Sequence, residues 1–188
     1  MKGYIYTMSS GYDAILGRHK HLNDPSFDKV PTLGACMPNI RRLVSRGDHI
    51  FVVSGSVDGV QQYVVGGFEV DEKINALTAF ERFPENRLRY LDDGSLHGNI
   101  IVDEKGKHHQ LDDHDKFEMR IENYIVGRNP LSLSKIDEIE RARQESLPFL
   151  QKTFRTRGDT VFSVLGRWRR MNEHQVEEMN VWLRSMKE

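Results

Sequence analysis

The residues able to do chemistry fall into four groups. Cys36, the sole cysteine, stands two residues before Pro38, which suits the first position of a helix. Partial positive charge at a helix N-terminus lowers a thiol's pKa and favours a nucleophile. A buried structural thiol is the stronger reading, because no His or Asp lies at a spacing diagnostic of a base. Arg41, Arg42 and Arg46 are placed to grip phosphate bidentately, against a reading as solvated charge with one or two ion pairs. His108, His109, Asp112, Asp113, His114 and Asp115 supply imidazole and carboxylate, and His19 and His21 add two more rings. No His-Glu-x-x-His or paired-cysteine pattern orders them, and adjacent His108 and His109 would point to opposite faces of a strand. No metal or other cofactor is therefore expected, with His108, His109 and His114 the nearest to ligands. Trp168, inside Arg167-Trp168-Arg169-Arg170, pairs a stacking plane with cations, as a base beside its phosphates requires, although a tryptophan anchoring the last helix is the stronger reading. Tyr4, Tyr6 and Tyr12 line a base pocket or belong to the core.

These groups need elements to hold them. From Pro38, the residues Ile40, Leu43 and Val44 recur on one helical face, and Gly47 suits the left-handed residue that ends a helix. Asp48 turns the chain, and His49 to Val53 is too apolar for an exposed strand, so it belongs in the middle of a sheet. Ser45-Arg46-Gly47-Asp48 and the strand after it align without a gap on Thr156-Arg157-Gly158-Asp159 and the residues to Gly166, each copy preceded by a segment opening at Pro38 or Pro148. The alignment predicts the same glycine exit, aspartate turn and buried strand twice. Arg-Gly-Asp is read here as a turn and not as an adhesion signal.

Elsewhere, Gly3 to Met8 alternates as a first strand, and the aperiodic stretch to Thr32 reads as a long loop. Val60 to Val70 is a strand whose Gly66-Gly67 pair marks a bulge or a close approach. Leu77, Ala79 and Phe80 suggest a short helix. Asn99 to Val102 and Lys107 to Leu111 suggest a hairpin, and Phe117, Met119 and Ile121 a half-exposed strand. Ser134 with Asp137 has the spacing of a capping box, and Asn172 with Gln175 repeats it before a helix with Val176, Met179, Trp182, Leu183 and Met186 on its apolar side. Strands at both ends and in the middle, with few helices, point to an α+β fold: a curved, mixed or mainly antiparallel sheet with peripheral helices and a C-terminal helix. Irregular alternation and the lack of a Gly-rich phosphate loop argue against a doubly wound parallel sheet.

All 188 residues read as one domain, since no Pro, Gly or Ser-rich linker divides them. Hydrophobic residues at 38% and charged ones at 29% describe an ordinary globule. A single cysteine and the lack of a signal-like or membrane-length apolar run predict a cytoplasmic protein with no membrane partner. The formal net charge of −1 hides segregation: six basic side chains face one acidic between Gln151 and Arg170, while six acidic face three basic between Asp103 and Glu118. A basic end gathered on one surface holds phosphates by counterion release.

Ser10-Gly11-Tyr12, Leu33, Cys36-Met37-Pro38, Ile40-Arg41-Arg42, Gly47-Asp48 and Gly98-Asn99-Ile100-Ile101 stand in one order over the first 125 residues. In that order they resemble the second family of nucleotide modification associated domains, which accompany enzymes that build or handle modified bases in phages and bacteria. Met37 departs from the family's lysine, and the family's Ala-Pro-Asn is absent after Tyr12. The helix entering a central strand through Gly-Asp also resembles PUA-like barrels, so closure of the sheet is one form the resemblance allows; residues 134–188 would complete the fold as helix, strand and helix. The resemblance implies a nucleic-acid or nucleotide binding module of a base-modification or phage-defence pathway, and the charge and stacking chemistry of the side chains puts Tyr12, Arg41, Arg42, Arg46, Trp168 and Arg169 at the ligand. The alternatives are an enzyme acting on a modified nucleotide through Cys36 or a His/Asp metal site, and a protein-interaction adaptor.

Overall fold

A computed structural model describes residues 1–9 and 23–188. The strands are β1 (Gly3–Thr7), β2 (Thr32–Leu33), β3 (His49–Val53), β4 (Val64–Ile74), β5 (Arg89–Tyr90), β6 (Leu96–His97), β7 (Tyr124–Ser132) and β8 (Trp168–Met171). The helices are α1 (Pro38–Leu43), α2 (Ala76–Arg82), α3 (Ile136–Phe154), α4 (Val161–Leu165) and α5 (Glu173–Ser185). Six strands form a mixed sheet in the order β2-β7-β4-β3-β1-β8, and β5 pairs with β6 alone. The fold is α+β, and the sheet does not close into a barrel. β1 runs parallel to β3 and antiparallel to β8. Its five residues are all buried, as a strand between two neighbours requires.

The chain forms two compact units, one of residues 1–9, 48–69 and 130–188, the other of residues 23–47 and 70–129. In the first, β3 pairs with β4 through a register shift between Val52 and Val53, beside the expected Gly66-Gly67 pair. A β-carbon on Gly66 would strike the Leu131 carbonyl, and one on Gly67 the Phe51 ring, so both glycines answer close approaches. α5 is capped as the sequence predicts: the Asn172 side chain accepts from the Gln175 amide, and the Gln175 side chain from the Asn172 amide, both at 3.0 Å. Its apolar face is buried.

The second Arg-Gly-Asp does not repeat the first. Gly47 adopts the left-handed conformation and Asp48 leads into β3, but Asp159 leads into α4. Thr160 and Ser163 make reciprocal side-chain to amide bonds that cap a helix where a strand was expected. Pro148 does not open this segment; it lies inside α3. The cap of α3 is shifted by one residue, since the Glu138 carboxylate accepts from the Ser134 and Lys135 amides in place of Asp137.

In the second unit, α1 buries Ile40 and Arg41 while Leu43 is exposed, and the helix ends at an extended, buried Val44 and not at Gly47; α2 buries Ala76 and Ala79 while Leu77 is exposed. The hairpin is reduced to its turn, with the Asp103 carboxylate accepting from the Lys105 and Lys107 amides and a single bridge from Val102 to His108. Phe117–Met119 is a 3-10 turn and not a strand; Lys116 enters it in the left-handed region, and the Arg120 guanidinium binds the Asp115 carbonyl at 2.7 Å. Its core packs Ala76, Ala79, Phe83, Ile100, Val102, Tyr124 and Val126.

Candidate functional site

The second unit carries a polar centre around the loop from Gly34 to Met37. The Asp24 carboxylate accepts the Gly34 amide at 2.6 Å, the Ala35 amide at 2.8 Å, the Cys36 amide, and the Asn99 side chain at 3.2 Å. Asn99 and Asn86 both donate to the Thr32 hydroxyl, and the Tyr124 hydroxyl donates to Asn99 at 2.8 Å. Gly34 is required here because a side chain would meet the Asn99 carbonyl and the Tyr124 ring. The loop is thus pinned by its own amides to one acidic side chain.

Arg41 pins it from the other side. Its Nε donates to the Cys36 carbonyl at 2.9 Å, Nη1 to the Arg120 and Asn123 carbonyls at 3.0 and 2.8 Å, and Nη2 to the Ala35 carbonyl at 3.2 Å. With no exposed surface, Arg41 is a structural cation and has no face left for a phosphate. Arg42 is exposed, and its carbonyl accepts from Lys73 at 2.9 Å. Arg46 pairs with Asp71 at 3.1 Å on the surface. Tyr12 lies outside the described residues.

Cys36 is partly exposed, and its sulfur is 3.9 Å from Nε2 of His114. Nδ1 of His114 is 2.6 Å from one oxygen of Asp112, and Nε2 of His108 is 2.7 Å from the other. The order sulfur, imidazole, carboxylate is that of a nucleophile, its base and the group that orients the base. Linear spacing could not reveal it, since 78 residues separate Cys36 from His114. Burial first, then the charge of Asp24, pushes the Cys36 thiol far up, so the resting sulfur keeps its proton. The hydrogen bond that the His114 ring donates to Asp112 raises His114. Burial alone would raise Asp112, but bonds from His114 and His108 outweigh it and hold the carboxyl below its usual range. His108 stacks on Phe117 with centroids 4.6 Å apart, and His109 accepts from the Leu111 amide. Among the described residues, Asp112, Asp113 and His114 are the group whose ligand atoms lie within 4.8 Å of one another, and His108 and His109 are outside it.

The first unit carries the basic stretch. β8 alternates: Trp168 and Arg170 lie opposite Tyr6 and Tyr4 on one face, and Arg169 lies opposite Ile5 on the other. Arg169 turns inward, donating to the Thr156 hydroxyl at 3.0 Å and the Val164 carbonyl at 2.8 Å, with its guanidinium 4.9 Å from the Phe154 ring centre. Its Nη1 ties a loop to a helix. Trp168 keeps 37% of its surface exposed, 5.9 Å from the buried Tyr4 ring. Lys152, Arg155, Arg157, Arg167 and Arg170 are exposed, and their side chains have no partner among the described residues. Lys152 and Arg155 line a cavity of about 470 Å³ with His174, Gln175 and Glu178.

No family model and no curated protein matches this chain.

Proposed function

We propose that the chain binds nucleic acid or nucleotide through its first unit, with Arg167 and Arg170 meeting phosphate and Trp168 stacking on a base. The observation that carries this reading is the group of five exposed cations at positions 152, 155, 157, 167 and 170, none with a side-chain partner among the described residues, in the same stretch as a partly exposed tryptophan. Unpaired guanidinium groups keep their full capacity for bidentate phosphate contacts, and each phosphate neutralised releases condensed counterions. An indole in their midst adds base stacking on the order of 1–3 kcal/mol. Two of these cations, Lys152 and Arg155, also line the cavity shared with His174, Gln175 and Glu178. A role in base modification or phage defence rests on the sequence resemblance of residues 1–125.

A mobility-shift titration of plain and modified single-stranded oligonucleotides tests the reading. Binding is expected to weaken with salt, and Arg167→Ala with Arg170→Ala to flatten the slope of log affinity against log salt by about 0.7 per lost phosphate contact. Trp168→Ala should weaken binding about tenfold or more while leaving that slope unchanged. Absence of binding at low salt, or binding untouched by these substitutions, would exclude this surface.

A further inference from the structure

Asp24, Cys36, Asp112 and His114 belong to the second unit and take no part in the proposed phosphate surface. We propose that Cys36 is a catalytic nucleophile, with His114 as its base and Asp112 as the residue positioning that base, and that the site acts on a neutral electrophilic carbon. The sulfur faces Nε2 of His114 at 3.9 Å, while Nδ1 is engaged by Asp112 at 2.6 Å. This arrangement selects the tautomer with its proton on Nδ1, leaving a lone pair on Nε2 toward the thiol. The Asp112 side chain is only 3% exposed and receives His108 on its second oxygen, so the carboxylate cannot swing away from the ring.

Neutrality of the substrate is set by the surrounding charges. Asp24 stands beside the sulfur and Asp112 behind the imidazole, and both repel an anion. The cations nearby, Arg41 and Arg120, are turned to backbone carbonyls: Arg41 to those of Ala35, Cys36, Arg120 and Asn123, and Arg120 to those of Ala35 and Asp115. Arg41 has no exposed surface and offers no donor to a carboxylate or phosphate, and Arg120 spends its Nε and Nη1 on these carbonyls.

Because burial and Asp24 keep the proton on sulfur, the thiolate is not stored at rest. Proton removal accompanies attack, and the base is the group whose protonation governs the rate. With iodoacetamide as electrophile, the sulfur lone pair forms the S–C bond, the C–I bond breaks with its electron pair leaving as iodide, and the thiol proton passes to Nε2 of His114 and then to water. No oxidant, reductant or further reactant is needed.

The test is the rate of iodoacetamide alkylation of Cys36 in the intact folded chain, followed by mass spectrometry across pH. The groups facing His114 are Asp112, Asp24, Arg120 and the Cys36 thiol, so the profile is expected to rise through a single step above the ordinary histidine value of 6.5. His114→Gln should slow alkylation at neutral pH at least tenfold. Asp112→Asn should shift the step to lower pH, a change that a purely structural carboxylate would not produce. Iodoacetate should react more slowly relative to iodoacetamide than it does with free cysteine. Alkylation seen only after unfolding, an unchanged rate in His114→Gln, or a preference for iodoacetate would overturn the proposal. If His114→Gln fails to fold by circular dichroism, an unmoved profile in Asp112→Asn overturns it equally.

Discussion

Arg41 joins two loops that lie far apart in sequence, donating to carbonyls at Ala35 and Cys36 and at Arg120 and Asn123. Arg41→Ala takes the side-chain donor from the Cys36, Arg120 and Asn123 carbonyls, while Ala35 keeps Arg120, and each lost partner costs about 1–3 kcal/mol. Destabilisation on the order of 3 kcal/mol or more is expected by denaturant titration, with collapse of the Cys36 loop as its local form. Arg42→Ala, on the exposed side of the same helix, should change stability by less than about 0.5 kcal/mol. The pair Asp112 and His114 sets a pH dependence of its own. His114 is raised by Asp112, so its stabilisation is complete below the unfolded value of 6.5 and is lost as pH rises through the higher folded value. Asp112 is lowered, so its stabilisation is present above the unfolded value of 3.8 and is lost as pH falls through the lower folded value. Thermal melts should therefore show this pair contributing most between about pH 4 and 6.5, and Asp112→Asn should remove the basic limb.

At the scale of elements, short-range rules were legible wherever the partners are close in sequence. Asn172 and Gln175 are three residues apart, and the cap of α5 forms as their types demand. Asn172→Ala is expected to cost about 1 kcal/mol, read as a lowered denaturation midpoint with an unchanged slope. The second Arg-Gly-Asp misled because the tripeptide says only that the chain turns. The element after that turn is decided by Thr160 and Ser163, whose reciprocal bonds start α4. Phe117, Met119 and Ile121 alternate like a strand, but the turn opened by Lys116 presents two of them, Phe117 and Ile121, to the core of the second unit. A buried arginine took the place on α1 that periodicity assigned to Leu43, because backbone carbonyls can solvate a guanidinium where an apolar pattern foresees only carbon.

For the molecule as a whole, the C-terminal helix bears on the adaptor reading. Val176 and Leu183 have no exposed surface, Trp182 stacks on Phe149 with centroids 4.6 Å apart, and a β-carbon on Gly3 would meet Val176 at 2.6 Å. A face already filled by its own unit is not free for a partner chain. Truncation after Arg170 is expected to abolish cooperative thermal unfolding, because several fully buried side chains at about 1.5–3 kcal/mol each would be lost from a fold of marginal stability. Among the described residues no helix is long and apolar enough to cross a membrane. Sequence by itself determined the α+β class, the strand beginning at Gly3, the helix opening at Asn172, the left-handed turn at Gly47 and the basic character of residues 151–170, all of which depend on neighbours within a few positions. Only the tertiary structure decided which arginines stay on the surface, that Arg41 and Arg169 turn inward, and that Cys36 meets His114. Cys36 and Arg41 meet partners 78 to 82 residues away, and side-chain periodicity carries no record of such distances.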